Sequence, residues 1–245
     1  NKIFEANAAL LSSHNSETKD GTAFSIELLY PNDLINGGAT YYRIDDTFDP
    51  KLGYVRRNGV NKFQNHLSWQ PRFNNSEIVR QAFLSYTNSI YTTLGGGGET
   101  MENGLVVPRI VFESTDEVFL KYSHFTDNPD FDFFVPGAGI ISQGDYKWNA
   151  ITFGGGLSNK RKLGATASLT LHDDWYDWKR TDYNLGFRWS LNRHLLLATS
   201  HRYSHFEKNY IDEDVLLNSA RMLVNINANM GLLNVIQHDS YSDTI

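Results

Sequence analysis

Three acidic side chains, Asp127, Asp130 and Asp132, share the segment Thr126-Asp127-Asn128-Pro129-Asp130-Phe131-Asp132. Oxygen ligands this dense make Ca2+ the one candidate cofactor. The spacing lacks a D-x-D-x-D-G run and a distal bidentate Glu, so solvated turn carboxylates are the simpler account. A second cluster, His172-Asp173-Asp174-Trp175-Tyr176-Asp177-Trp178, sets carboxylates among aromatic rings. Rings plus acids can grip a sugar, and paired acids can cleave a glycosidic bond. Adjacent carboxylates in one turn splay apart, so Asp173, Asp174, Trp175 and Trp178 are carbohydrate or rim candidates rather than catalytic ones. The two tryptophans read first as membrane-interface markers. His194, His201 and His205 with Glu207 have metal-binding types. On a strand, however, the His201/His205 pair shares a face yet sits too far apart for one ion. Arg56 and Arg57 follow a Pro- and Gly-broken loop that could fold into a pore and favour anions, and Arg188 and Arg221 are further constriction candidates. The alternative for the loop pair is a rim salt bridge.

Several chemistries are excluded. Gly95 to Gly98 lacks the following Lys-Ser/Thr of a phosphate loop and reads as a flexible connection. No G-x-S-x-G elbow occurs. With no cysteine, disulfides, thiolate catalysis and zinc–sulfur sites are absent. A net charge of -6 and scattered basic residues give no support for a nucleic-acid partner; Lys160, Arg161 and Lys162 read as a loop tip. The first residues lack the charged and apolar regions of a secretory signal, so the expectation is that any such signal has been removed or lies upstream.

The elements that must position these residues are strands. Tyr183, Leu185, Phe187, Trp189 and Leu191 alternate with Asn184, Gly186, Arg188 and Ser190, which places them on opposite faces of a sheet. Leu163, Ala165, Ala167, Leu169 and Leu171 repeat the pattern against Gly164, Thr166, Ser168, Thr170 and His172. Met222, Val224, Ile226, Ala228 and Met230 oppose Arg221, Leu223, Asn225, Asn227 and Asn229. Phe24 to Tyr30 gives a shorter run. Weaker alternation around 4–10, 41–44, 63–69, 78–86, 105–112, 118–125, 148–153, 194–203 and 232–237 brings the total to roughly a dozen strands. Asn36-Gly37-Gly38, Asn74-Asn75-Ser76 and Ser158-Asn159-Lys160 supply turn chemistry. No sustained helical stripe exists. The expected class is all-β, an antiparallel meander.

No run of 18 apolar residues exists, yet a barrel strand needs only about 9–11 residues with every second one facing lipid. The polar face decides between a barrel and a sandwich. It is Asn, Ser, Thr and Gly with single arginines, as a hydrated lumen prefers, rather than the Lys and Glu of a water-facing sheet. The aromatic content, 13%, suits interfacial belts. Longer strands than usual, with short turns at one end and longer loops at the other, complete the pattern. The chain therefore reads as a transmembrane outer-membrane β-barrel, whole or partial.

Three stretches carry a family resemblance. Phe48-Asp49-Pro50-Lys51-Leu52-Gly53-Tyr54-Val55-Arg56-Arg57 resembles an F-x-P-x-x-G-[FY]-x-x-R signature. Val135-Pro136 through Gly144-Asp145-Tyr146 resembles a proline- and G-x-Y-containing segment. Arg221 through Ile236-Gln237-His238-Asp239-Ser240 resembles a late strand closing on an I-Q-Y-N-S-like motif. Together, in this order, they resemble the barrel domain of unassigned function in large bacterial outer-membrane proteins, where it often follows a family-9-type carbohydrate-binding module. His238-Asp239 departs from that family's Tyr-Asn pair. No carbohydrate-binding module is present, and Ile245 is not the terminal Phe or Trp of a complete bacterial barrel. The expectation is one barrel domain over residues 1–245, a fragment of a longer protein.

The resemblance implies a Gram-negative outer-membrane location, a porin-like or anchoring role, and glycan handling by a missing module. Outer-membrane lipid, a glycan and other outer-membrane proteins are the implied partners. The alternatives are an outer-membrane enzyme using rim carboxylates and a soluble all-β carbohydrate-binding domain.

Overall fold

A computed structural model describes residues 4–14, 19–51, 53, 55, 57–96, 99–227 and 229–242. Its elements in chain order are β1 (Glu5–Ser13), β2 (Gly21–Tyr30), β3 (Ile35–Ile44), β4 (Val60–Trp69) and β5 (Val79–Thr93). There follow β6 (Glu99–Phe112), β7 (Glu117–Asp127), β8 (Phe133–Val135), β9 (Gly139–Ile141) and β10 (Tyr146–Gly156). The last are β11 (Leu163–Trp175), β12 (Trp178–Ser190), β13 (Leu195–Lys208), β14 (Ile211–Asn225) and β15 (Gly231–Asp239). Among the described residues thirteen strands form one sheet in which each pairs with its neighbour along the chain; β8 and β9 form a separate hairpin inside the β7–β10 connection. All pairs are antiparallel. The all-β antiparallel class is thus established.

Among the described residues, no pairing joins β1 to β15, so the sheet is not closed into a ring. Because the sheet holds an odd number of alternating strands, β1 and β15 run in the same direction.

Register places each residue on a face, since directly paired residues point to the same side. On β11–β12, Leu163, Ala165, Ala167 and Leu169 pair with Trp189, Phe187, Leu185 and Tyr183. On the opposite side Gly164, Thr166 and Ser168 pair with Arg188, Gly186 and Asn184. The apolar side is the exposed one: Tyr183, Leu185, Phe187 and Trp189 are 46%, 47%, 47% and 48% exposed. Asn184, Gly186, Arg188 and Ser190 are less exposed than the apolar residues between them. Ile151, Phe153, Leu120, Tyr122, Leu105, Tyr86, Leu67 and Trp69 continue the exposed apolar face.

The pairing also fixes the stagger. One row runs Ala6, Leu28, Ala39, Asn65, Asn88, Asn103, His124, Asn149. Ala6 lies one residue from the start of β1, whereas Asn149 lies seven residues from Gly156, the matching end of β10. Averaged over the seven strand-to-strand steps, the row climbs by a little under one residue per strand. With about 3.3 Å per residue and 4.8 Å between strands, the strands tilt by roughly 30°.

Several expectations about turns need correction. Asn36-Gly37-Gly38 is not a turn but lies inside β3; the chain reverses at residues 31–34 instead. A Cβ at Gly38 would lie 2.7 Å from Leu29 Cδ2 and 2.8 Å from His66 Cε1, so the glycine serves close packing. The alternation after Met222 overruns its strand: Ile226 and Met230 sit in the β14–β15 turn, joined by an Ile226 N–H to Met230 carbonyl bond of 3.0 Å, and Ala228 lies outside the described residues. Pro108, which cannot donate to a ladder, falls in the β6 register shift between Val106 and Arg109. The two longest connections, 45–59 and 128–145, share one end of the sheet. That end also has two-residue turns at 176–177 and 209–210, so short and long loops are not cleanly separated.

Candidate functional site

The polar face is where the chain places its charges, and one connection folds back over it. Residues 128–145 carry too many apolar side chains to stay in water at no cost: Phe133, Val135, Ala138 and Ile141 pack against Trp148, Trp175, Tyr176, Trp178, Phe206 and Val215. Fully burying a side chain such as Ile141 contributes about 1.5–3 kcal/mol. Gly137 and Gly139, with φ of 87° and 75°, turn the β8–β9 hairpin. A Cβ at Gly137 would lie 2.7 Å from the Phe206 ring and 2.8 Å from Val215 Cγ2, so only glycine lets the hairpin seat. Beyond the cluster, the Phe134 ring packs at a tilt against Tyr241 after β15, centroids 5.6 Å apart, which carries the hairpin across from β7 and β10 to the far strands.

The two-residue turn Tyr176-Asp177, with φ of 49° and 64°, holds Tyr176 at the centre of this packing. Phe133, Tyr146, Trp148 and Trp175 surround its ring at 4.8–5.5 Å. Its hydroxyl donates to the Asp127 carboxylate. Burial first, then that carboxylate, push the phenol well above its usual range, so it stays a donor. Asp127 also accepts from Thr100 Oγ1 at 2.7 Å, and Thr100 accepts from Arg57 Nη1 at 3.0 Å. Lower on the same face, Asp182 accepts from Ser204 and Arg180, and pairs with His172 Nε2 at 3.2 Å. Arg180 lies over the rings of Trp175 and Phe206 at 4.6 and 5.2 Å. Arg109 pairs with Glu117, and Lys121 with Glu102.

Arg188, Arg202 and Arg221 differ. Among the described residues none has a carboxylate partner. Arg188 Nη1 donates to the Asn159 carbonyl at 3.3 Å, and Arg202 Nε to Asn184 Oδ1 at 3.0 Å.

No family model matches this chain, and no curated protein matches its sequence.

The sequence-derived candidates therefore rest on geometry. Arg57 reaches the polar face, its guanidinium 5.9 Å above the Tyr91 ring, while Arg56, Leu52 and Tyr54 lie outside the described residues. Phe48 from the same loop is only 4% exposed; a Cβ at Gly21 would strike its backbone nitrogen at 2.3 Å. Arg188 and Arg221 face the polar side, in one row with Ala198 between them.

Asp173 is engaged by the protein itself. It accepts two bonds of 2.7 Å from the backbone and side chain of Asn149, and Asp174 N–H donates to it. Trp175 and Trp178, which flank the β11–β12 turn at one end of the sheet, are buried under the hairpin, because the 128–145 connection brings its own apolar residues down onto them. The three aspartates proposed as calcium ligands do not gather: Asp127 holds Thr100 and Tyr176, while Asp132 accepts from Gln143 N–H. Among the described residues no cluster of three metal-ligating side chains occurs. His194 contacts the Asn225 carbonyl, His201 contacts Asn218 and His205 contacts Asp214, so these histidines are separate.

One feature escaped the sequence pattern. Across the exposed apolar face, Asn65 Nδ2 donates to Asn88 at 3.1 Å and Asn88 to Asn103, with Tyr86 OH donating to Asn103 at 3.0 Å. Further along the row Asn149 accepts from Tyr122 OH at 2.6 Å and contacts His124. On an otherwise apolar face these polar groups satisfy one another. Asn88 signals nothing by itself in sequence. Only the strand register reveals its partners, 23 and 15 residues away.

Proposed function

We propose that this sheet is the wall of a bacterial outer-membrane β-barrel, apolar side to lipid and polar side to a lumen, acting as a pore or as an anchor for attached domains. One observation carries the reading: the large apolar residues of β12 are more exposed than the polar residues between them. A water-soluble sandwich buries its apolar face, whereas a barrel in lipid presents it outward. The strand tilt supports the same reading, being close to what ring closure demands. The end strands run in the same direction, so an all-antiparallel ring needs a further strand between β1 and β15; such barrels in bacteria hold even numbers.

The lumen of this barrel is narrowed by the 128–145 hairpin and, at the same end, by the loop carrying Phe48 and Arg57. The resemblance to barrels that follow carbohydrate-binding modules supports a glycan as the solute or neighbouring substrate, with other outer-membrane proteins as partners. Flotation with phospholipid vesicles tests the reading: the folded chain should float and resist extraction by high salt. A monodisperse chain that stays in the aqueous layer without detergent would replace the barrel with a soluble sheet.

A further inference from the structure

Within the barrel reading, the polar wall formed by β11 to β15 has the makings of a solute site. Three successive rows of paired residues define it. The first holds Gly164, Arg188, Ala198, Arg221 and Val235. The next holds Thr166, Gly186, Ser200, Ser219 and Gln237, and the third Ser168, Asn184, Arg202, Leu217 and Asp239. The middle row is a floor of small polar residues, Ser200 and Ser219 sharing a hydrogen bond of 3.1 Å. A cavity of about 690 Å³ opens over it, with Arg202, Gln237 and Asp239 in its lining. Arg221 stands one row away on the same face, across Ala198 from Arg188.

The arginines of these three rows are left without a neutralising acid among the described residues. Arg109, Arg161 and Arg180 each meet a carboxylate. Arg188, Arg202 and Arg221 meet none among the described residues, and Arg202 and Arg221 are exposed. Asn184 engages only the Nε of Arg202, which fixes the plane of the guanidinium and leaves both Nη groups to donate. Such a fork suits a carboxylate or phosphate. Ser200, Ser219, Thr166 and Gln237 offer hydroxyl and amide groups that alternate as donors and acceptors, which suits a polyol. Asp239 closes the far edge, its carboxylate accepting from Tyr241 N–H at 2.9 Å.

We infer that the trough between Arg202, Arg221 and Asp239 binds a polyhydroxylated anion, its anionic end on Arg202 and its hydroxyls over Ser200 and Ser219 toward Arg221. A sugar acid and a sugar phosphate share this chemistry. Titration calorimetry on the folded full chain in detergent would use gluconate, glucose 6-phosphate, glucose and inorganic phosphate. At least one of the first two should bind more than tenfold tighter than glucose and inorganic phosphate, and whichever does identifies the source. Arg202→Gln with Arg221→Gln should weaken it at least tenfold. Arg193→Gln, on the exposed β12–β13 turn, should leave it unchanged, and unaltered strand circular dichroism certifies each fold. Equal binding of all four solutes, or no loss in the double variant, overturns the site. A chain that floats with vesicles but binds neither anion overturns the site alone; one that binds an anion but never floats overturns the barrel alone.

Discussion

Replacing Phe187 by arginine puts a charge inside the exposed apolar file Tyr183, Leu185, Phe187 and Trp189 of β12. That file covers six residue steps, about 20 Å along the strand and roughly 17 Å along the normal at a tilt near 30°. In the proposed barrel it lies within the apolar band, about 25 Å tall, so position 187 faces lipid there. Its paired neighbours are Ala165 and Thr199, neither of them an acid that could receive the guanidinium. An arginine facing lipid at the midplane costs about 2–4 kcal/mol, a factor of roughly 30 to 1,000 in the folding equilibrium. On a water-facing sheet the same substitution would stay near 0.5 kcal/mol. Arg188→Ala, one residue away on the polar face, removes only a bond to the Asn159 carbonyl and should cost about 0.5–1.5 kcal/mol. Denaturant unfolding in phospholipid vesicles, followed by tryptophan fluorescence, gives both values. Equal destabilisation by Phe187→Arg and Arg188→Ala would refute the assignment of faces.

Gly137→Ala should unseat the β8–β9 hairpin, since its Cβ would overlap Phe206 and Val215 at an already left-handed φ; faster proteolysis within 128–145, with the sheet's circular dichroism intact, would show it. Deleting residues 130–143 should raise single-channel conductance more than deleting 50–55, because the former removes the packed hairpin; the opposite order would return the constriction to the Phe48 loop. Asn88→Ala should cost about 1–3 kcal/mol by stranding the amides of Asn65 and Asn103, and a loss below 0.5 kcal/mol would mean that water reaches them. In the β6–β7 turn, the Ser158 N–H, then Ser114 and Arg161, hold the Asp116 carboxyl below its usual value against the opposing effect of burial. Its stabilisation is therefore present above the ordinary carboxylate pKa and lost as pH falls through the lowered one. Asp116→Asn should remove that acid-side slope, and an unchanged slope would place it elsewhere.

Alternation exposed the faces of β11 and β12 because almost every residue of those strands obeys it, so fold class and side assignment were legible from 163–171 and 183–191. Strand ends were less so. Ile226 and Met230 keep the period through a turn, and Gly37-Gly38 has turn composition but serves to admit His66. The hairpin was hidden for a different reason: Phe133, Val135 and Ile141 lie in a segment dominated by Asp, Pro and Gly, and their partners Trp175, Phe206 and Val215 come from strands far along the chain. The same distance concealed why Trp175 and Trp178 are buried. Of the arginines, Arg188 and Arg221 stood out from their alternating runs. Arg202 did not, because β13 pairs apolar and polar residues on both sides, and its role depends on the cross-strand neighbour Asn184.

The central claim is that Leu185 and Gly186, adjacent in sequence, face different media. Nitroxide labels at these two positions in vesicle-reconstituted protein read this directly, through collision with oxygen, which concentrates in lipid, and with a water-soluble nickel chelate. The account predicts oxygen-dominated collisions at 185 and nickel-dominated collisions at 186. Nickel-dominated collisions at both positions would contradict it.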